Sequence, residues 1–155
     1  MTKKLMMMFV LAFGLVAAVM ADVKLVNVGS NLPKLDELKA NISKYEQQAP
    51  FDGVMIMLGS SSDVFNPAAF TDGQKNEMRA AGEVYKKIPF KKWTYNFLGV
   101  LADQNRPLWF NDDYWKNVTA NWTTAAQLAK SCGMAGICLD PEGYGVYPVA
   151  SLRRP

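Results

Sequence analysis

Histidine is absent from the chain, and cysteine occurs only twice, at Cys132 and Cys138. Without histidine, Ser-His-Asp and Cys-His catalysis within this chain is excluded. Zinc sites of ordinary ligand type are nearly excluded as well. The phosphate-cradling glycine patterns G-x-G-x-x-G and G-x-x-x-x-G-K-[ST] are also missing, and with them the usual signature of a bound nucleotide. No cofactor is expected. Charge of one sign is scarce too: the formal net charge is +3, and the basic residues form short pairs (Lys86-Lys87, Lys91-Lys92, Arg153-Arg154) rather than a stripe. A nucleic-acid partner, which needs a basic surface, is not expected.

What is present begins with an apolar leader. Met1–Ala21 has two early lysines, an unbroken apolar run from Leu5, and small residues leading to Ala21. This is the pattern of a secretory signal peptide cleaved after Ala21. A membrane anchor is the other reading, but the run is short for a span of about 20 apolar residues. The expectation is residues 1–21 as signal peptide, an exported (periplasmic or extracellular) domain over 22–155, and no stable membrane span thereafter. Removing Lys3 and Lys4 lowers the charge from +3 to +1. Export permits a disulfide. Cys132 reads as a helix end and Cys138 as mid-strand, so two buried thiols are favoured over a bridge.

From Val23 onward two periods alternate. Val23–Val28 reads as a strand, and Asn31-Leu-Pro33 opens a helix whose apolar positions Leu35, Leu38, Ile42 and Tyr45 share a face. Val54–Leu58 is five consecutive apolar residues, as a strand covered on both faces requires. Thr71 and Gln74 have capping-box spacing ahead of a helix bearing Met78, Ala81, Tyr85 and Ile88. Pro89 ends it, and Trp93–Leu101 is the third strand. A long helix follows with Trp115, Val118, Trp122, Ala125 and Ala129 on one face, and Gly133 as a left-handed cap. Ala135–Leu139 is the fourth strand.

This β-α-β-α-β-α-β order predicts parallel strands joined by helical crossovers. The fold class expected is α/β, a partial (β/α)8 TIM barrel of about four β/α units. A full barrel takes about 250 residues. Here the sequence stops 15 residues past Asp140. The expectation is therefore the N-terminal half of a barrel domain, truncated, or else completed by a homodimer that covers its two open edges.

In such a barrel the C-terminal strand ends form the functional face. Asp140 and Glu142 follow the fourth strand at alternate positions, sharing parity with Gly136 and Cys138, while Ile137 and Leu139 point the other way. Two carboxylates are thus aimed at the barrel mouth, where glycoside hydrolysis uses such groups as acid, base or nucleophile. A brace on the Pro-Gly turn by Asp140, with Glu142 solvated, is the plainer use. The loop after the third strand adds Trp109, Phe110, Tyr114 and Trp115 beside Arg106, Asp112 and Asp113. Aromatic faces next to hydrogen-bonding groups suit sugar rings. Trp115 and Tyr114 read equally as helix core, and Asp112 as an N-cap, which leaves Trp109 and Phe110 for ligand contact. Ser60-Ser-Ser62-Asp63 reads as surface loop, and the sequons at Asn41, Asn117 and Asn121 fall on helices.

These residues carry a resemblance. The segments LPKLDELKANISKYEQQAPFDGVMIML, YNFLGV and WFNDDYWKNVTANWTTAAQLAKSCGMAGICLDPEGYG are similar to the N-terminal half of exported bacterial glycoside-hydrolase-like TIM-barrel proteins. The sharpest parts are Trp109-Phe110-Asn111-Asp112-Asp113-Tyr114-Trp115 and Asp140-Pro141-Glu142-Gly143-Tyr144-Gly145. The resemblance implies a barrel fold and a carbohydrate ligand. Glu142 and Asp140 are then the catalytic candidates, and Trp109, Phe110, Tyr144 and Asn96 the candidates for sugar contact. Glu142 is the first choice for proton transfer, with Asp140 tuning it. The rival expectation is a non-catalytic carbohydrate-binding or scaffold protein on the same half-barrel.

Overall fold

A computed structural model describes residues 23–28, 33–101 and 110–140. The described elements are β1 (Val26–Asn27), α1 (Leu35–Gln48), β2 (Gly53–Ile56), a 3-10 turn (Gly59–Asp63), α2 (Asp72–Tyr85), β3 (Phe97–Leu101), α3 (Asp112–Ser131) and β4 (Gly136–Asp140). The strands are all parallel and stand in the order β1-β2-β3-β4, with one helix between each consecutive pair. They form a curled half-barrel sheet, as expected of a partial (β/α) barrel. Among the described residues no helix is long and apolar enough to cross a membrane. The leader, and with it the expected cleavage after Ala21, lies outside the described residues.

Local chemistry explains most element ends. At the start of α2, Gln74 N–H donates to Thr71 Oγ1 (3.2 Å) and Thr71 N–H donates to Gln74 Oε1 (3.0 Å), the expected capping box. α3 ends on Gly133 at φ 69°, in the left-handed region glycine favours. The Met134 and Gly133 N–H groups then bond back to Ala129 and Lys130 oxygens, closing a Schellman motif. Asn111, not Asp112, caps the start of α3, its Oδ1 accepting from Tyr114 N–H at 2.9 Å. Asp112 and Asp113 instead occupy the first turn, where their charge favours the helix dipole.

Strand parity divides the sheet into two faces. Val54, Ile56, Leu98 and Val100 are buried together with Leu38 and Ile42 of α1, Met78 and Tyr85 of α2, and Ala125, Leu128 and Ala129 of α3. This convex, helix-covered side is the core. Each such aliphatic side chain contributes about 1.5–3 kcal/mol through burial. Two helical stripes differ from the expected ones. The buried line of α3 is Tyr114, Val118, Asn121, Ala125 and Leu128, with Trp115 and Trp122 only partly covered. Its polar member, Asn121, accepts from Phe70 N–H (2.8 Å) and donates to Ala68 O (3.0 Å), so it fastens the loop after β2. The third buried position of α1 is Glu46 rather than Tyr45.

Glu46 is buried because it is an acceptor. Its Oε1 receives the N–H groups of Lys91, Lys92 and Trp93 at 2.9, 2.8 and 2.9 Å. This clasp holds the segment before β3 against α1, and it shortens the third strand. Trp93, expected to begin the strand, lies instead below it, buried and stacked on Tyr45 with centroids 6.1 Å apart. The strand begins only at Phe97. Burial by itself would raise the Glu46 pKa. The three backbone donors and the nearby Lys91 charge outweigh it and hold the carboxyl below its ordinary value of 4.5.

β2 and β3 meet at an unusually short distance. A Cβ built on Gly53 would lie 1.9 Å from the Tyr95 carbonyl oxygen, so only glycine fits there. Gly53→Ala is expected to destabilise the fold by about 3 kcal/mol or more through forced backbone displacement. Gly73→Ala, on open helix surface with its nearest contact at 3.8 Å, should be neutral or gain about 0.5–1 kcal/mol. Chemical denaturation of both checks this, and equal costs would overturn the close-approach account. A depressed carboxyl pKa stabilises the fold above the unfolded value and ceases to do so as pH falls through the folded one. Glu46→Gln should therefore lower stability at pH 7, and the difference should shrink as pH drops below 4.5. Denaturation curves across that range measure it.

Candidate functional site

The concave side of the sheet is built by the residues that parity turns away from the helices. Cα register aligns Met55 with Phe97 and Gly136, Gly99 with Cys138, and Leu101 with Asp140. Paired residues of parallel strands project to the same face. A Cβ on Gly99 would touch Met55 Cγ (2.9 Å) and Met57 Cγ (3.1 Å), and one on Gly136 would touch the Phe97 ring (3.4 Å). Those contacts confirm that Met55, Met57, Gly99, Phe97 and Gly136 share this surface. Tyr95 extends it, packing edge-on to Phe97 with centroids 5.3 Å apart. The face is apolar and only partly open: Met57 is 37% exposed and Tyr95 42%, whereas Met55 is buried.

Asp140 closes the upper row, at the C-terminal end of β4. Its placement on the concave side agrees with the expected parity of Gly136, Cys138 and Asp140. Ile137 packs against the convex core, also as expected. The electrostatics agree. Burial raises the Cys138 thiol above its ordinary 9.0, and the Asp140 carboxylate beside it raises it further. Both cysteines are free: Cys132 is buried under α3 and Cys138 partly exposed on the concave face. Cys132 is also raised, chiefly by burial, although a Ser131 hydrogen bond and Lys86 act against it.

The expected site residues do not all gather here. Phe110 sits at the entry to α3 and is 58% exposed. Glu142, Tyr144 and Trp109 lie outside the described residues. Asn96 stands before β3, five residues from Leu101, the partner of Asp140, hence roughly 16 Å along the strand from the mouth. Its amide is occupied. Oδ1 accepts from Val54 N–H (2.9 Å), and Nδ2 donates to Trp93 O (2.7 Å) and the Tyr85 hydroxyl (3.1 Å). It braces the floor of the sheet. Tyr95, Met55 of β2 and Met57 just after it were not singled out by sequence. The signal for them is the second parity inside an all-apolar strand.

The serines after β2 divide in the same way. Ser61 is fully buried, its Oγ accepting from Leu58 N–H (3.0 Å) and donating to Gly99 O (3.1 Å), which fixes the turn above β2 and β3. Ser60 bonds the Glu77 carboxylate at 2.9 Å. Asn117 donates to Pro67 O at 2.8 Å, so two of the three sequon asparagines serve as braces. A separate groove of about 360 Å³ runs between α2 and α3 on the convex side. Its cations are already engaged: Lys75 with Asp72 at 3.7 Å, Lys86 with Glu83, and Arg79 with Asn76 at 2.7 Å.

No family model, curated protein or solved structure matches the chain.

The Asp140–Cys138 proximity yields a direct test. Asp140→Asn should lower the Cys138 pKa and speed its alkylation at pH 8 by about twofold or more, since a like charge disfavours the thiolate. Peptide mass spectrometry separates Cys138 from the buried Cys132. An unchanged Cys138 rate would mean that Asp140 does not face the concave side.

Proposed function

We propose that this chain is an exported, glycoside-hydrolase-like half-barrel that acts on a carbohydrate through carboxylate chemistry. The observation supporting this reading most directly is Asp140, a carboxylate on the concave side at the C-terminal end of β4. Strand ends of that kind carry the reacting groups of β/α barrels.

In this reading Glu142 transfers the proton, protonating the leaving glycosidic oxygen. Asp140, two residues away in sequence, orients or tunes it through hydrogen bonding and like-charge repulsion. Trp109, Phe110 and Tyr144 offer ring faces to the C–H faces of a sugar. The exposed Met57, just past β2, supplies apolar surface beneath it. The same open apolar face favours a second reading, a carbohydrate-binding or scaffold protein without turnover. Asn96 has no part in sugar contact in either, because its hydrogen-bonding capacity is spent.

The experiment is a glycan-binding screen followed by turnover assays on the best binder. Glu142→Gln should reduce hydrolysis about 100-fold or more, the scale of general-acid catalysis, and leave binding within a few-fold. Phe110→Ala should weaken binding instead. Binding without turnover in the parent protein would select the second reading. Hydrolysis undisturbed by Glu142→Gln would remove the proposed acid.

A further inference from the structure

We propose that the N-terminal end of the sheet, opposite the mouth, is a docking surface for an anionic lipid bilayer, which leaves the mouth facing away from the membrane. This rests on charge and topology and stands apart from the carbohydrate chemistry proposed above. Each helix returns the chain to the start of the next strand, so the helix C-termini and the loops after them collect at this end. The segment leaving α2 reads Lys86-Lys87-Ile88-Pro89-Phe90-Lys91-Lys92, and Lys130 stands in the last turn of α3. All five lysines are exposed. At the opposite end the first turn of every helix is acidic, and Asp140 ends β4. Charge is thus sorted along the strand axis, which a net value of +3 conceals.

The fold itself uses few of these cations. Lysines at helix C-termini offset the helix dipole, which accounts for Lys86 and Lys130. Lys91 and Lys92 lie six and seven residues past the end of α2. Glu46 fixes their backbone by accepting both N–H groups, and Lys92 Nζ donates to Ala49 O (2.7 Å). The acids of this end are committed: Glu46 to that clasp, Asp52 to Leu25 N–H, and Glu83 to Lys86. Lys87, Lys91 and Lys130 form no ion pair among the described residues. Two observations select a bilayer over a soluble polyanion. The apolar run from Leu5 to Ala21 precedes Val23, which leads into β1 at its N-terminal end, so that run joins the fold at the basic end. Tyr95, just before β3 and 42% exposed, adds an aromatic of the kind that sits at headgroup depth. Lysines beside an anionic leaflet each strengthen binding about fivefold.

Co-sedimentation of the purified protein with lipid vesicles tests this. Phosphatidylcholine vesicles containing phosphatidylglycerol at about 30 mol% should bind it, and phosphatidylcholine alone should bind it at least about tenfold less. Raising salt from about 0.05 M to about 0.5 M should remove most of that difference, because the contact is screened. Lys87→Gln, Lys91→Gln and Lys130→Gln combined should weaken binding to the anionic vesicles about 100-fold. Lys34→Gln, Lys39→Gln and Lys116→Gln combined remove the same charge elsewhere and should leave binding within about threefold of the parent. All six side chains are exposed, so both variants should fold. Equal binding to the two kinds of vesicle, or equal losses in the two triple variants, would overturn the proposal. So would retention on heparin or duplex DNA without binding to the anionic vesicles, which would assign the basic end to a soluble polyanion.

Discussion

One amide, that of Asn96, ties together more of this fold than any aliphatic contact does. Its Oδ1 receives the Val54 N–H of β2, and its Nδ2 reaches both the approach to β3 and the Tyr85 hydroxyl at the end of α2. Its main-chain oxygen receives Ala135 N–H at 2.8 Å, immediately before β4. Three strands near their starts and one helix at its end are therefore positioned by a single residue that is 2% exposed. Because the amide is buried, losing it would leave several polar groups unpaired, each costing about 1–3 kcal/mol. The Tyr85 hydroxyl also feels this environment. Burial raises its pKa, and the hydrogen bond from Asn96 partly offsets that.

The floor of the sheet is completed by polar groups of the same kind. Asp52 receives Leu25 N–H on its carboxylate (2.9 Å) and donates its own N–H to Leu25 O (2.7 Å), while its carbonyl receives Tyr95 N–H (3.0 Å). Glu46 gathers three consecutive N–H groups just upstream. These brackets sit at the N-terminal ends of the strands, whereas Ser61 is the buried hydroxyl bracketing the opposite end. The chain is thus pinned by side-chain acceptors where the strands begin.

The period-based parts of this architecture were legible in the sequence. The alternation of elements, the capping box at Thr71, the left-handed Gly133 and the inward parity of Asp140 each follow from local spacing, and each is found. The polar brackets were not legible, because their partners lie far apart in the chain: 42 residues for Asn96 with Val54, and 45 to 47 for the donors to Glu46. A helix stripe read by hydrophobicity skips Glu46 and Asn121 for that reason, and it prefers Tyr45 and Trp122 beside them. The same blindness made Trp93 look like strand and Asn96 like a candidate for sugar contact. Glu142, Tyr144 and Trp109 lie outside the described residues, so their place in the site rests on sequence.

Parity connects the folding problem to the functional one. A five-residue apolar strand such as β3 must satisfy two surfaces, and the helices account for only Leu98 and Val100. The alternate residues Phe97, Gly99 and Leu101 face away from that core. Along with Met57 and Cys138 they form a largely apolar concave surface. Asp140 stands in the same column at the point where that surface reaches the mouth. Whatever packs on the concave face therefore also lies beside Asp140, so the covering of that face and the chemistry of the strand end are not separable properties of this sheet.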